Sequence, residues 1–74
     1  MNGAERAWFV TRLAEIPSYD GAGALECRRI GYEIHRLYGG DGMVEVLRAC
    51  RSLLDAQTAA GIARAWIGIG RWQG

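Results

Sequence analysis

Apolar residues recur along this chain at spacings of three and four, with polar residues filling the positions between them. That is the period of a helix with one buried face, and no alternating run is long enough to make a strand. The first helix is expected over about residues 3–15. Phe9, Leu13 and Ile16 form its stripe, widened by Val10 and Trp8. Asn2 and Glu5 stand at capping-box spacing. Pro17 disfavours helical geometry at Ile16 and ends the segment.

Residues 18–21 read as a turn, with Asp20 as the cap of a second helix over about residues 23–38. Cys27, Ile30, Ile34 and Leu37 make its inward stripe. Glu26, Arg29, Glu33 and Arg36 fall on the opposite side, spaced to pair along a solvated face. Gly39-Gly40-Asp41-Gly42 is the strongest break in the chain. Gly39 can take the left-handed conformation that closes a helix, and Asp41 can cap the next.

The third helix is expected over about residues 42–55. Met43, Leu47, Cys50 and Leu54 line it, with Val46 and Leu53 beside them, and Arg51 can pair with Asp55 one turn on. Thr58 then caps a fourth helix carrying Ile62, Trp66 and Ile69, which Gly68 and Gly70 weaken. The expected fold is all-α: a small antiparallel bundle of three to four short helices, one domain over residues 1–74.

Size changes the picture next. A chain of 74 residues hides only about 60% of its unfolded surface, so it is marginally stable alone and gains from a staple or a partner. Half of its residues are hydrophobic, and its net charge is +1. This is a folding chain without the basic excess of a polyanion binder. All nine basic residues are arginine. That fits either a GC-rich coding sequence or a preference for planar, bidentate contacts. No apolar run is long enough to cross a bilayer, and charges interrupt the N-terminal segment where a secretory leader would be apolar. The expected location is the cytoplasm.

Two cysteines and one histidine bound the chemistry. Folding the chain back at Gly39-Gly40 sets Cys27 close to the level of Cys50. The pair either forms a disulfide or stays reduced as small apolar side chains, the second being usual in a reducing compartment. With His35 they supply too few ligands for a structural zinc, so no metal or cofactor is expected. Gly68-Ile69-Gly70 does not match a dinucleotide fingerprint, having no third glycine at the right offset and no preceding strand. His35 reads as a surface or half-buried side chain, and the cysteines point inward. The carboxylates sit at helical spacing from arginines. No acid–base or nucleophilic couple stands out, and the expectation is a non-enzyme.

Contact surfaces remain. The chain ends R-A-W-I-G-I-G-R-W-Q-G. Trp8, Trp66 and Trp72 lie near the two chain ends, so the first and fourth helices are expected to meet and their rings to cluster. The glycines either bend Trp72 back over its own bundle or let it fill a pocket on a partner. Tryptophan and arginine dominate interface energies, which makes Trp8, Trp66, Ile69, Arg71 and Trp72 the candidate interface. The function expected is a small non-enzymatic protein-interaction module that self-associates, as a two-fold dimer in the commonest case. The alternative is a small helical nucleic-acid-associated regulator using Arg28, Arg29 and Arg36. Glu26 and Glu33 interleave with that patch, and the third helix opens with the core segment Met43-Val44-Glu45-Val46-Leu47 rather than with groove-reading polar groups.

The order R-R-I-G-Y-E-I, Y-G-G-D-G-M and A-W-I-G-I-G-R-W, from Arg28 to Trp72, resembles a group of short uncharacterised bacterial and phage-associated reading frames. These combine a helix, a Gly-Gly-x-x-Met turn and a terminal Trp-x-Gly-Ile-Gly-x-Trp. The resemblance implies a mobile-element setting, in which the protein would bind a host or element protein. It implies no activity and carries over no functional residue. Ile67 stands where that motif has an acid, and an extra glycine follows Asp41.

Overall fold

In the computed structural model, which describes residues 1–73, helix α1 spans Gly3–Ala14. Its start is the expected capping box. Asn2 Oδ1 accepts from the Glu5 amide at 2.8 Å, and the Glu5 carboxylate accepts from the Asn2 amide at 3.1 Å. Two of the orphan donors of the first turn are thereby satisfied.

Helix α2 spans Ala22–Leu53. Asp20 does not cap it with its side chain. The N-cap is Gly21, at φ 55°, and only the Asp20 carbonyl takes part, accepting from Gly23 and Ala24 at 3.1 and 3.4 Å. The turn is too tight for other residues. A Cβ on Gly23 would lie 1.6 Å from the Ser18 carbonyl oxygen.

The 32 residues of α2 as a straight rod would measure about 48 Å. The longest dimension of the molecule is 30 Å. The chain doubles back at Gly39, whose φ of 73° and ψ of −169° lie in a region open essentially to glycine alone. The break expected there is real, although its geometry is not the left-handed helical one. Asp41 lies inside the helix and caps nothing. The arms over residues 22–38 and 40–53 run antiparallel, bringing buried Cys27 and Cys50 together in the core.

Helix α3 spans Ala56–Ala65. Its cap is Asp55, not Thr58. Asp55 Oδ1 accepts from the Thr58 amide at 2.6 Å and Oδ2 from the Thr58 hydroxyl at 3.0 Å. Asp55 is therefore committed to this cap rather than to a pair with Arg51. The result is an all-helical bundle of α1, the two arms of α2, and α3.

One core joins all of these segments. Phe9, Leu13, Ile30, Ile34, Met43, Val46, Ile62, Trp66 and Ile69 are its largest members. Two leucines expected on inward stripes are outside it: Leu37 is 48% exposed and Leu53 68%. Leu53 is the last residue of α2.

Candidate functional site

The C-terminal tail turns back over its own bundle. Gly68 and Gly70 have φ of 96° and 56°. They let the Gly68 amide donate to the Trp72 carbonyl at 3.0 Å and the Trp72 amide to the Ile69 carbonyl at 2.9 Å. The half-buried Trp72 indole donates to the Ala63 carbonyl at 3.0 Å and meets the Trp66 ring edge-on, centroids 5.5 Å apart. Trp66 itself is buried and donates to the Cys27 carbonyl at 2.9 Å.

This corrects the expected interface. Trp66 and Ile69 are core residues of a single chain, because α3 runs beside the first arm of α2 and directs its stripe into it. The three rings do not form one cluster either. Trp66 and Trp72 pair with each other, while Trp8 stands apart on α1 against Phe9, at 5.0 Å. Arg71 is exposed and lines a cleft of about 540 Å³ at the α2 bend, with His35, Asp41, Met43 and Trp72 around it. Gly70 lies so close to His35 that a Cβ there would sit 2.5 Å from Nε2.

Trp8 is the tryptophan that faces solvent, at 51% exposure. The Arg12 guanidinium lies over its ring, 4.7 Å from the centroid, a cation–π contact that holds the indole in place. Arg12 also joins α1 to α2, with Glu33 at 3.0 Å and Glu26 at 3.9 Å. At the other end of α1, the Tyr38 hydroxyl donates to Glu5, and Arg6 pairs with Glu45 at 2.9 Å. The Tyr38 bond, with the Asn2 amide, holds the Glu5 carboxyl below its ordinary range, and the same bond raises Tyr38.

These contacts fix α1 antiparallel to the first arm of α2. One turn from the Arg12–Glu33 pair, the register puts Trp8 and Leu37 at one level on either side of the seam. In the opposite direction along the seam, Ile16, Pro17, Gly23 and Ile30 line a mostly apolar cleft of about 450 Å³. Arg12 thus lies over the exposed ring and also lines the apolar cleft, with Glu26 and Glu33 paired to it.

The arginines of the second predicted helix are arranged differently from the expected ladder. Arg28 is engaged within the chain. It donates to the Ala65 and Ile67 carbonyls at 2.8 and 2.6 Å and so closes the C-terminal end of α3. Its guanidinium also lies 5.5 Å from the Tyr32 ring centroid. This is a correction to the reading of Arg28 as a nucleic-acid contact, and its signal in the sequence is only a free arginine opposite a Gly-interrupted helix end. Arg29 and Arg36 remain outward. Glu26 keeps the expected pairing with Arg29, at 3.8 Å, while also reaching Arg12, and Glu33 pairs with Arg12 across to α1.

Cys27 and Cys50 are free thiols, with no bond between them. Burial pushes Cys27 up to about 12, helped by its neighbour Cys50, and Cys50 up to about 11. Thiols held so far above neutral pH are protonated and make poor nucleophiles. Among the described residues no group of three or more His, Cys, Asp or Glu side chains gathers as a metal site, and no helix is long and apolar enough to cross a membrane. No protein-family model, curated protein or solved structure matches the chain.

Proposed function

We propose that this protein is a small non-enzymatic interaction module that self-associates through the seam between α1 and the first arm of α2. The observation that carries the reading is Trp8. It is a half-exposed tryptophan packed against Arg12, which also lines the neighbouring apolar cleft. Tryptophan anchors that enter pockets supply a large share of interface energy. A ring already packed against a neighbour gives up less freedom on binding than a fully solvated one.

The geometry suits a two-fold pairing. Trp8 and Ile16 lie equally far on either side of Arg12 in sequence, Trp8 within α1 and Ile16 just past its end. Two α1 helices crossing antiparallel near Arg12 would seat each Trp8 at the other copy's cleft, as an isologous contact requires. Glu26 and Glu33 both pair with Arg12, which fixes the guanidinium at the point where the two copies would cross.

The non-enzymatic part of the reading is supported by the protonated state of both thiols and by the packing of Gly70 against His35. A cytoplasmic setting fits the reduced cysteines. A mobile-element origin rests on the motif resemblance alone. Light scattering tests the proposal. The native chain is expected to dimerise with rising concentration, and Trp8→Ala to remain monomeric. A native chain that stays monomeric would refute it.

A further inference from the structure

The outward stripe of the first arm of α2 is made of Leu25, Arg29, Tyr32 and Arg36, directly opposite the buried Cys27, Ile30 and Ile34. Leu25 is 70% exposed and Tyr32 52%, and exposed Ile67 continues the apolar strip beside Arg28. Three guanidinium groups share this face. Arg28 is held by the carbonyls at the C-terminal end of α3 and makes no ion pair among the described residues. Arg36 makes no ion pair among the described residues, and Arg29 has only Glu26, at 3.8 Å, which it shares with Arg12. Glu33 pairs with Arg12 of α1, and Glu26 divides between Arg12 and Arg29, so Arg36 is left with no acid partner among the described residues.

We infer that this face binds an amphipathic helix of a protein partner, with leucine-like side chains on one stripe and glutamate or aspartate flanking it. Leu25, Tyr32 and Ile67 form an apolar ridge for that stripe, and Arg29 and Arg36 meet carboxylates beside it. Charge complementarity selects this occupant. A second copy would bring arginine against arginine across a two-fold axis. Nucleic acid would satisfy the cations but leave the leucine and isoleucine exposed to phosphate and water. The surface is separate from the Trp8 seam, so the two contacts can fail independently.

The test is a selection from a displayed library of helical peptides. Each peptide has leucine on one stripe, and its flanking positions are randomised among Glu, Gln and Lys. The targets are the native chain, the Arg29→Glu/Arg36→Glu double variant, and Trp8→Ala. Enrichment of glutamate by the native chain and by Trp8→Ala, with a switch to lysine for the double variant, is the expected result. The winning peptide should bind the double variant about tenfold more weakly, as two reversed contacts imply. Both substitutions are at exposed positions, and circular dichroism checks that the double variant is folded. No enrichment, enrichment of Gln or Lys by the native chain, or tighter binding of a DNA duplex than of the selected peptide would overturn the proposal.

Discussion

The indole of Trp66 lies against Gly31, where a Cβ would be 2.6 Å from Nε1 and 2.7 Å from Cδ1. The missing side chain lets α3 approach the first arm of α2 closely enough for Nε1 to donate to the Cys27 carbonyl. A buried indole N–H left without a partner would cost about 1–3 kcal/mol, so the glycine and the tryptophan act as one device. Gly31→Ala is therefore expected to destabilise the protein. Overpacking costs about 1–3 kcal/mol, against a gain of about 0.8–1 kcal/mol in helix propensity. Urea denaturation should show a net loss of up to about 2 kcal/mol. A neutral result would mean that the contact relaxes freely.

The bend in α2 offers a paired test. Gly39 has positive φ with open space where a Cβ would be, and Gly40, also in open space, has no such φ. Gly39→Ala should cost about 1–3 kcal/mol from backbone strain alone. Gly40→Ala should be neutral or stabilising by about 0.4–1 kcal/mol. Thermal melts of the two variants should move in opposite directions or, at the least, differ clearly.

The thiols predict a pH dependence at the alkaline end. Their folded-state values, about 12 and about 11, stand above the ordinary 9.0. Above pH 9 the unfolded chain loses these protons before the folded one does. Stability should therefore fall between about pH 9 and 11, by about 1.4 kcal/mol per pH unit for each thiol. At neutral pH, iodoacetamide should modify neither cysteine until the chain unfolds, and a reductant should not shift the melting temperature. A melting temperature lowered by reductant would reveal a disulfide.

Arg28 closes α3 through two carbonyls. Arg28→Met keeps much of the stem but no donor, and should cost about 1–2 kcal/mol, since hydrogen bonds from charged groups exceed neutral ones. The loss should be concentrated in the tail. Hydrogen exchange at the Ile69 and Trp72 amides should accelerate more than at Ile34.

The helices, the break at Gly39-Gly40 and most of the inward stripes were legible in the sequence, because apolar period and glycine punctuation are local signals. The Asn2–Glu5 box was equally local. The caps of the later helices were less so. Both Asp55 and Thr58 suit that role, and only the end of α2 at Leu53 decides between them. Asp20 yielded to a glycine turn for the same reason. The surfaces were least legible. Whether Glu33 opposes Arg36 on one face or reaches Arg12 depends on where α1 packs, and that is a tertiary fact. Trp66 and Trp8 carry the same residue type on similar stripes. One is buried because Gly31 makes room for it, and the other is left outside at the α1 seam.

The central claim is that contact chemistry resides on Trp8 and its seam, not on the tryptophans at the other end of the chain. Three indole N–H signals in a nitrogen–proton correlation spectrum, recorded over a dilution series, report on it directly. The Trp8 signal is expected to move with concentration while those of Trp66 and Trp72, held by the Cys27 and Ala63 carbonyls, stay fixed. A stationary Trp8 signal, or movement of Trp72 in its place, would contradict the account.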